Sequence, residues 1–140
     1  MDEPPEITAE VRQLLDGLVD SVEKIEVLFL AWREPDVLWT VATAAARLRL
    51  PADAVGGALA ELDSGKLLRR DDQGYRYAPS SEADRAAVTA LCTLYDADRL
   101  LVLREITAIA MDRIRSSAAR AFSDAFRFRK RDGGGGHNDA

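Results

Sequence analysis

The densest cluster of side chains able to do chemistry in this 140-residue chain is cationic, and its spacing suits holding anions rather than breaking bonds. Arg113, Arg115, Arg120, Arg127, Arg129, Lys130 and Arg131 form the densest basic run, with Met111, Ile114, Phe122, Phe126 and Phe128 interleaved. Guanidinium groups make strong paired hydrogen bonds to phosphate and carboxylate oxygens. Catalysis has no comparable foothold. His137 is the sole histidine and sits in a glycine tail, away from any hydroxyl or thiol it could activate. Cys92 is the sole cysteine, so no internal disulfide exists, and its neighbours Leu91, Leu94 and Tyr95 mark it as a buried structural thiol. No Cys/His cluster has zinc spacing. Gly56-Gly57 lies inside a helical pattern and Gly133–Gly136 in the tail, so neither follows a strand as a phosphate loop must. The pairs Asp71-Asp72 and Asp96/Asp98 read as turn and cap residues. The chain is expected to be no enzyme, and to need no metal or cofactor.

The basic run admits three uses. It can be a dimerisation helix pairing with its symmetry mate, a phosphate-binding arm, or an amphipathic helix on an anionic membrane or an acidic partner. The phenylalanines can also dock on the domain core, leaving the arginines in solvent; docking or dimerisation is the first expectation. The net charge of −5 conceals a strong asymmetry. Residues 1–36 carry three basic and ten acidic side chains, a balance of −7, whereas residues 104–131 carry eight basic and three acidic ones, a balance of +5. A local basic patch sets the field at a bound phosphate, so an acidic whole does not exclude nucleic acid. The acidic side chains Glu10, Asp16 and Glu23 can pair with the basic end, within or between chains.

Hydrophobic residues make up 47% and charged residues 31%, a globular balance. No apolar run approaches the roughly 18 residues a membrane span needs, so no integral membrane segment is expected. The acidic start, Met1 to Glu6, lacks the layout of a signal peptide, which makes the cytoplasm the expected compartment.

Positioning falls to a series of helices and one hairpin. Val11, Leu14, Leu15, Leu18 and Val19 recur at helical spacing after a Thr8 cap, giving an N-terminal helix within residues 1–20. A second helix runs from a Ser21 cap to Arg33 with Val22, Ile25, Leu28 and Phe29 inward. Thr40 caps a helix of small residues, Val41 to Leu48, and Arg49-Leu50-Pro51 breaks it. Ala52 to Ser64 form a further helix with Gly65 just past its end. Lys66–Arg70 and Tyr75–Ala78 read as strands around the turn Asp71-Asp72-Gln73-Gly74. Residues 81–131 are helical, bent near Asp96–Asp98, with Leu100, Leu103, Ile106, Ala110 and Ile114 as an inward stripe, and residues 132–140 are a disordered tail.

That order over residues 21–80 is a winged helix-turn-helix pattern, and the fold expected is mainly α with a two-stranded β wing and long C-terminal helices. Trp39 through Leu68 resembles the paired helices and first wing strand of MarR-like bacterial regulators. Ala42, Ala45 and Ala46 let two helices approach, Leu48 and Leu50 flank the turn, Val55, Leu59 and Leu62 hold the second helix down, and Gly65 supplies a left-handed turn into the wing. The chain is also similar to a group of bacterial winged-helix proteins with a helical tail ending in a Phe-Arg-Phe-Arg-Lys-like segment, here Phe126 to Lys130, a likeness that implies no activity.

The resemblance to regulators implies a homodimer on double-stranded DNA, with the second helix in the major groove. The face it would present is Asp53, Gly56, Gly57, Ala60 and Glu61, without one arginine, lysine, asparagine or glutamine to read a base. Contact would then fall to Arg47 and Arg49 at the turn, to Arg69, Arg70 and Arg76 on the wing, and to the basic C-terminal run. The competing expectation is a protein-interaction adaptor on the same scaffold, since a flat face of small residues suits a protein partner better than DNA.

Overall fold

The computed structural model describes the backbone of residues 6–136 and the side chains of residues 6–126. The chain divides into two units, Met1–Thr107 and Ala108–Ala140. The first holds helices α1 (Ala9–Gly17), α2 (Val22–Arg33), α3 (Val41–Leu48), α4 (Ala52–Ser64) and α5 (Glu82–Ala97), strands β1 (Leu68–Asp71) and β2 (Gly74–Tyr77), and the start of α6 (Arg99–Gly136). The second is built on the remainder of α6. The protein is thus mainly helical with one small antiparallel sheet. No helix among the described residues is long and apolar enough to cross a membrane.

Helix starts follow local chemistry. The side-chain oxygens of Thr8, Ser21, Thr40 and Ser81 each accept a hydrogen bond from the backbone N–H three residues on, filling donors a first turn leaves open. Thr43 returns the favour to the Thr40 N–H at 2.9 Å, which closes a capping box around the start of α3. Asp98 ends α5, and its carboxylate accepts from the Leu101 N–H at 3.1 Å, so one residue makes the break between α5 and α6.

The ends of α3 and α4 depart from the sequence expectation. Gly65 has an ordinary φ of −78°, and the left-handed residue is Lys66, at φ 65°. The Leu67 N–H donates to the Leu62 carbonyl and the Lys66 N–H to the Asp63 carbonyl, the paired bonds of a Schellman end. Gly65 is small for a different reason: a Cβ there would sit 2.5 Å from Leu18 Cδ2. Arg49 repeats the pattern after α3, with φ 57° and the Leu50 N–H donating to the Ala45 carbonyl.

The core of the first unit joins all its helices. Leu15, Ile25, Leu28, Leu59, Leu62, Leu67, Leu91 and Tyr95 are each almost wholly buried. Burial of a large apolar side chain stabilises by about 1.5–3 kcal/mol, so these positions dominate the fold's stability. Helix α2 is central: it packs on α3, α4, α5 and β2. That explains why Val27, Leu30 and Ala31 are buried alongside Ile25, Leu28 and Phe29, covering more of the helix than one stripe. Val22, expected inward, is 43% exposed because it lies at the helix's first turn, ahead of the packed segment.

Two further registers differ from expectation. In α3 the buried residues are Ala44 and Ala45, and Ala42 and Ala46 are exposed. In α6 the core takes Val102 and Ile106, one turn apart, whereas Leu100, Ala110 and Ile114 are exposed and Leu103 is half-buried. Leucines at 100, 101 and 103 surround Val102, so apolar content alone could not select the face. Helix α6 continues to Gly136, into the segment 132–140 set apart as a tail, and residues 137–140, His137 among them, lie outside the described residues.

Two buried groups link the core to pH. Burial pushes the Tyr95 phenol from its ordinary 10.0 up to about 12, helped by the nearby Glu26 carboxylate and opposed by Arg99. Burial also pushes the Cys92 thiol up. The neutral forms are the ones the core tolerates. Their contribution to stability is whole below the unfolded-state values and is lost as pH rises through the folded-state ones. The melting temperature is therefore expected to hold to about pH 9 and then fall steadily toward pH 12; an unchanged melting curve at about pH 11.5 would contradict this.

Candidate nucleic-acid interface

Strands β1 and β2 pair Leu68 with Tyr77, Arg69 with Arg76, Arg70 with Tyr75 and Asp71 with Gly74. Alternation puts Leu68, Arg70, Tyr75 and Tyr77 on one face and Arg69 and Arg76 on the other. Leu68 and Tyr75 are buried, so the first face meets the core. Arg70 stays with it, its guanidinium 5.7 Å from the Tyr75 ring centre and its backbone N–H donating to the Asp63 carboxylate at 3.1 Å. Arg69 and Arg76 stand directly opposite each other on the exposed face, and neither has an ion-pair partner among the described residues. Like charges in that position destabilise a strand pair. An anion shared between them reverses the sign.

The hairpin is held rigidly. Asp71 Oδ1 accepts from the Gln73 and Gly74 backbone N–H groups at 2.7 and 3.2 Å, so this carboxylate belongs to the turn. Trp39 bridges to Tyr75 from outside the named strands, its N–H donating to the Tyr75 carbonyl at 2.7 Å and its carbonyl accepting from the Tyr75 N–H at 2.8 Å. Gly74 sits at φ 150° with the Trp39 backbone so close that a Cβ would lie 2.7 Å from the Trp39 carbonyl oxygen. The sequence reading missed this third extended segment, because one bridging residue leaves no alternation to detect.

The turn arginines divide. Arg47 is engaged: it donates to Glu34 at 2.7 Å and lies 5.8 Å from the Trp39 ring centre. Arg49 is exposed and has no ion-pair partner among the described residues. Arg47 also lines an open cleft of about 560 Å³ with Arg33, Arg99, Glu26, Glu34 and Phe29. Each guanidinium there has a carboxylate partner, Arg99 with Glu26 at 3.6 Å and Arg33 with Asp96 at 3.8 Å. No sequence signal announces this grouping, since its three arginines come from three distant helices.

The outer face of α4 offers little to a base edge. Asp53, Gly57, Ala60 and Glu61 are exposed. Gly56, expected there, instead faces α3, its Cβ position 3.6 Å from the Val41 methyls. Glu61 is tied to the Lys24 ammonium, which also bonds Asp20 at 2.7 Å. Burial alone would lower the Lys24 pKa, and the hydrogen bonds to these two carboxylates outweigh it, so the ammonium sits above its ordinary 10.5. Two acids on this side of the domain are thus neutralised together.

No protein-family model, curated protein or solved structure matches this chain. The site must be judged on its own geometry.

In the second unit, helical periodicity divides the basic run. Arg113 and Arg120 are seven residues apart, about two turns, and share a face of α6, while Arg115 falls on the other side near Met111 and Phe122. Phe122 and Phe126 are 73% and 63% exposed, and Met111 and Ile114 are exposed as well. The side chains of Arg127, Phe128, Arg129, Lys130 and Arg131 lie outside the described residues.

Proposed function

We propose that this chain is a winged helix-turn-helix protein, a transcriptional regulator that acts as a homodimer and grips duplex DNA by its phosphates. The hairpin makes the main contact through Arg69 and Arg76. Arg49 at the α3–α4 turn adds to it, and the arginines of α6 extend it. The observation that carries this reading is the exposed Arg69–Arg76 pair, two like charges opposed across a strand ladder and without an ion-pair partner among the described residues. Two further observations support it. The order α2, the bridging Trp39, α3, α4 and then the hairpin is compatible with a winged helix and supports the reading. The left-handed residues after α3 and α4 are Arg49 and Lys66, where glycine would cost less backbone energy, so charge is favoured over conformational ease at both helix ends.

Backbone contact through three arginines per protomer, six in the dimer, makes binding steeply salt-dependent, with log affinity falling against log salt at a slope of about −5 or steeper. Fluorescence anisotropy on a labelled duplex of arbitrary sequence is expected to give binding at low salt that weakens along that slope. A second reading, a protein-interaction adaptor, is favoured by α4, whose outer face has no base-reading donor and whose Glu61 is locked to Lys24. No duplex binding even at low salt would reject the regulator and leave the adaptor.

A further inference from the structure

We propose that the aromatic end of α6 from one copy of the chain, carrying Phe122 and Phe126, seats in a cleft between α1 and α5 of a second copy, and that the exchange is reciprocal. The inference rests on the homodimer in the reading above and says how that dimer is built.

The cleft, about 290 Å³, is lined by Leu14, Leu18, Ala83 and Ala87 together with Glu10, Gln13 and Asp84. No cation lines it. It therefore asks for an apolar group flanked by positive charge. Helix α6 in the second unit presents that combination. Phe122 and Phe126 are four residues apart and so adjacent on the helix surface, and Arg115 lies seven residues before Phe122 on the same side. Exposed rings of this size are the usual anchors of protein interfaces, and each buries a large apolar area on docking.

Charge selects the occupant. Residues 104–131 carry a balance of +5, so side-by-side pairing of two α6 segments sets like charges against each other. Residues 1–36, which include α1, carry −7, so the same segment is attracted to the acidic end of a second copy. Two such contacts related by a two-fold axis close the assembly, because each copy gives one α6 and receives one.

Cysteine pairing tests the arrangement directly, since Cys92 is buried and stays silent. Full-length copies carrying Ala83→Cys are mixed with copies carrying Phe126→Cys under mild oxidation. The expected product is a covalent dimer holding one of each. Cross-linking of Phe126→Cys copies only to themselves, or no covalent dimer at all, overturns the proposal. Sedimentation gives a second readout. Phe122→Ser with Phe126→Ser is expected to weaken the dimer by about thirty-fold. Glu10→Lys, on an exposed side chain that the fold does not need, is expected to weaken it as well. Unchanged sedimentation of both variants overturns the proposal. Duplex binding, measured on the same samples, separates the two claims. A chain that binds DNA without this cross-link refutes the docking alone, and a cross-linked dimer that ignores DNA refutes the regulator alone.

Discussion

Replacing Arg69 and Arg76 together by alanine is expected to remove most duplex binding while leaving the protein at least as stable as before. The two effects have opposite signs for one reason. In the free protein the guanidiniums oppose each other across the ladder on an exposed face, so removing them relieves repulsion worth a few tenths of a kcal/mol. In the complex the same pair neutralises phosphates. Losing two such contacts per protomer, four in the dimer, lowers the salt slope by about 4 and the affinity at low salt by roughly a hundred-fold or more. Arg70→Ala is the matched control. Its side chain is exposed but lies over the Tyr75 ring on the opposite face of the hairpin, so its loss is expected to cost that contact with little change in salt slope. Equal losses for Arg70 and for the Arg69–Arg76 pair would show that the face assignment carries no functional weight.

Gly74→Ala is expected to be among the most damaging single changes outside the core, costing about 3 kcal/mol, or about 10 °C in melting temperature. Two costs add. An L-residue strains at φ 150°, and its Cβ would press on the Trp39 backbone at 2.7 Å from the carbonyl oxygen and 3.0 Å from the carbonyl carbon. The obstacle is main chain, so no rotamer change relieves it. The strand must move away, and the two Trp39–Tyr75 hydrogen bonds go with it. Gly57→Ala gives the contrast: a Cβ there meets nothing within 4 Å, the site is helical, and alanine is expected to stabilise by up to about 1 kcal/mol. If both glycines tolerated alanine equally, the bridge between Trp39 and the hairpin would not be the constraint argued above.

These particulars show how far the sequence could be read. Caps were legible because Thr8, Ser21, Thr40 and Ser81 act on backbone three residues away, inside the reach of local pattern. The hairpin was legible from its turn residues, whereas the register that opposes Arg69 to Arg76 and sets Arg70 apart from them was not. Register along apolar-rich helices was not. Around Val102 and in the alanine run of α3, neighbouring positions are chemically alike, and only tertiary packing chooses among them. The left-handed turn was credited to Gly65, since sequence favours glycine there, whereas Lys66 takes it and Gly65 lies against the Leu18 side chain. The Trp39 bridge and the tie from Lys24 to Glu61 join residues far apart in the chain, and no local signal encodes them.

The central claim is that the exposed face of the hairpin, and not the outer face of α4, meets the DNA. Backbone amide chemical shifts recorded while a short duplex is added at low salt test it most directly. Shifts concentrated at residues 68–77 and at Arg49, with 53–61 nearly unmoved, are the expected result. Shifts centred on 53–61 with a silent hairpin would contradict it.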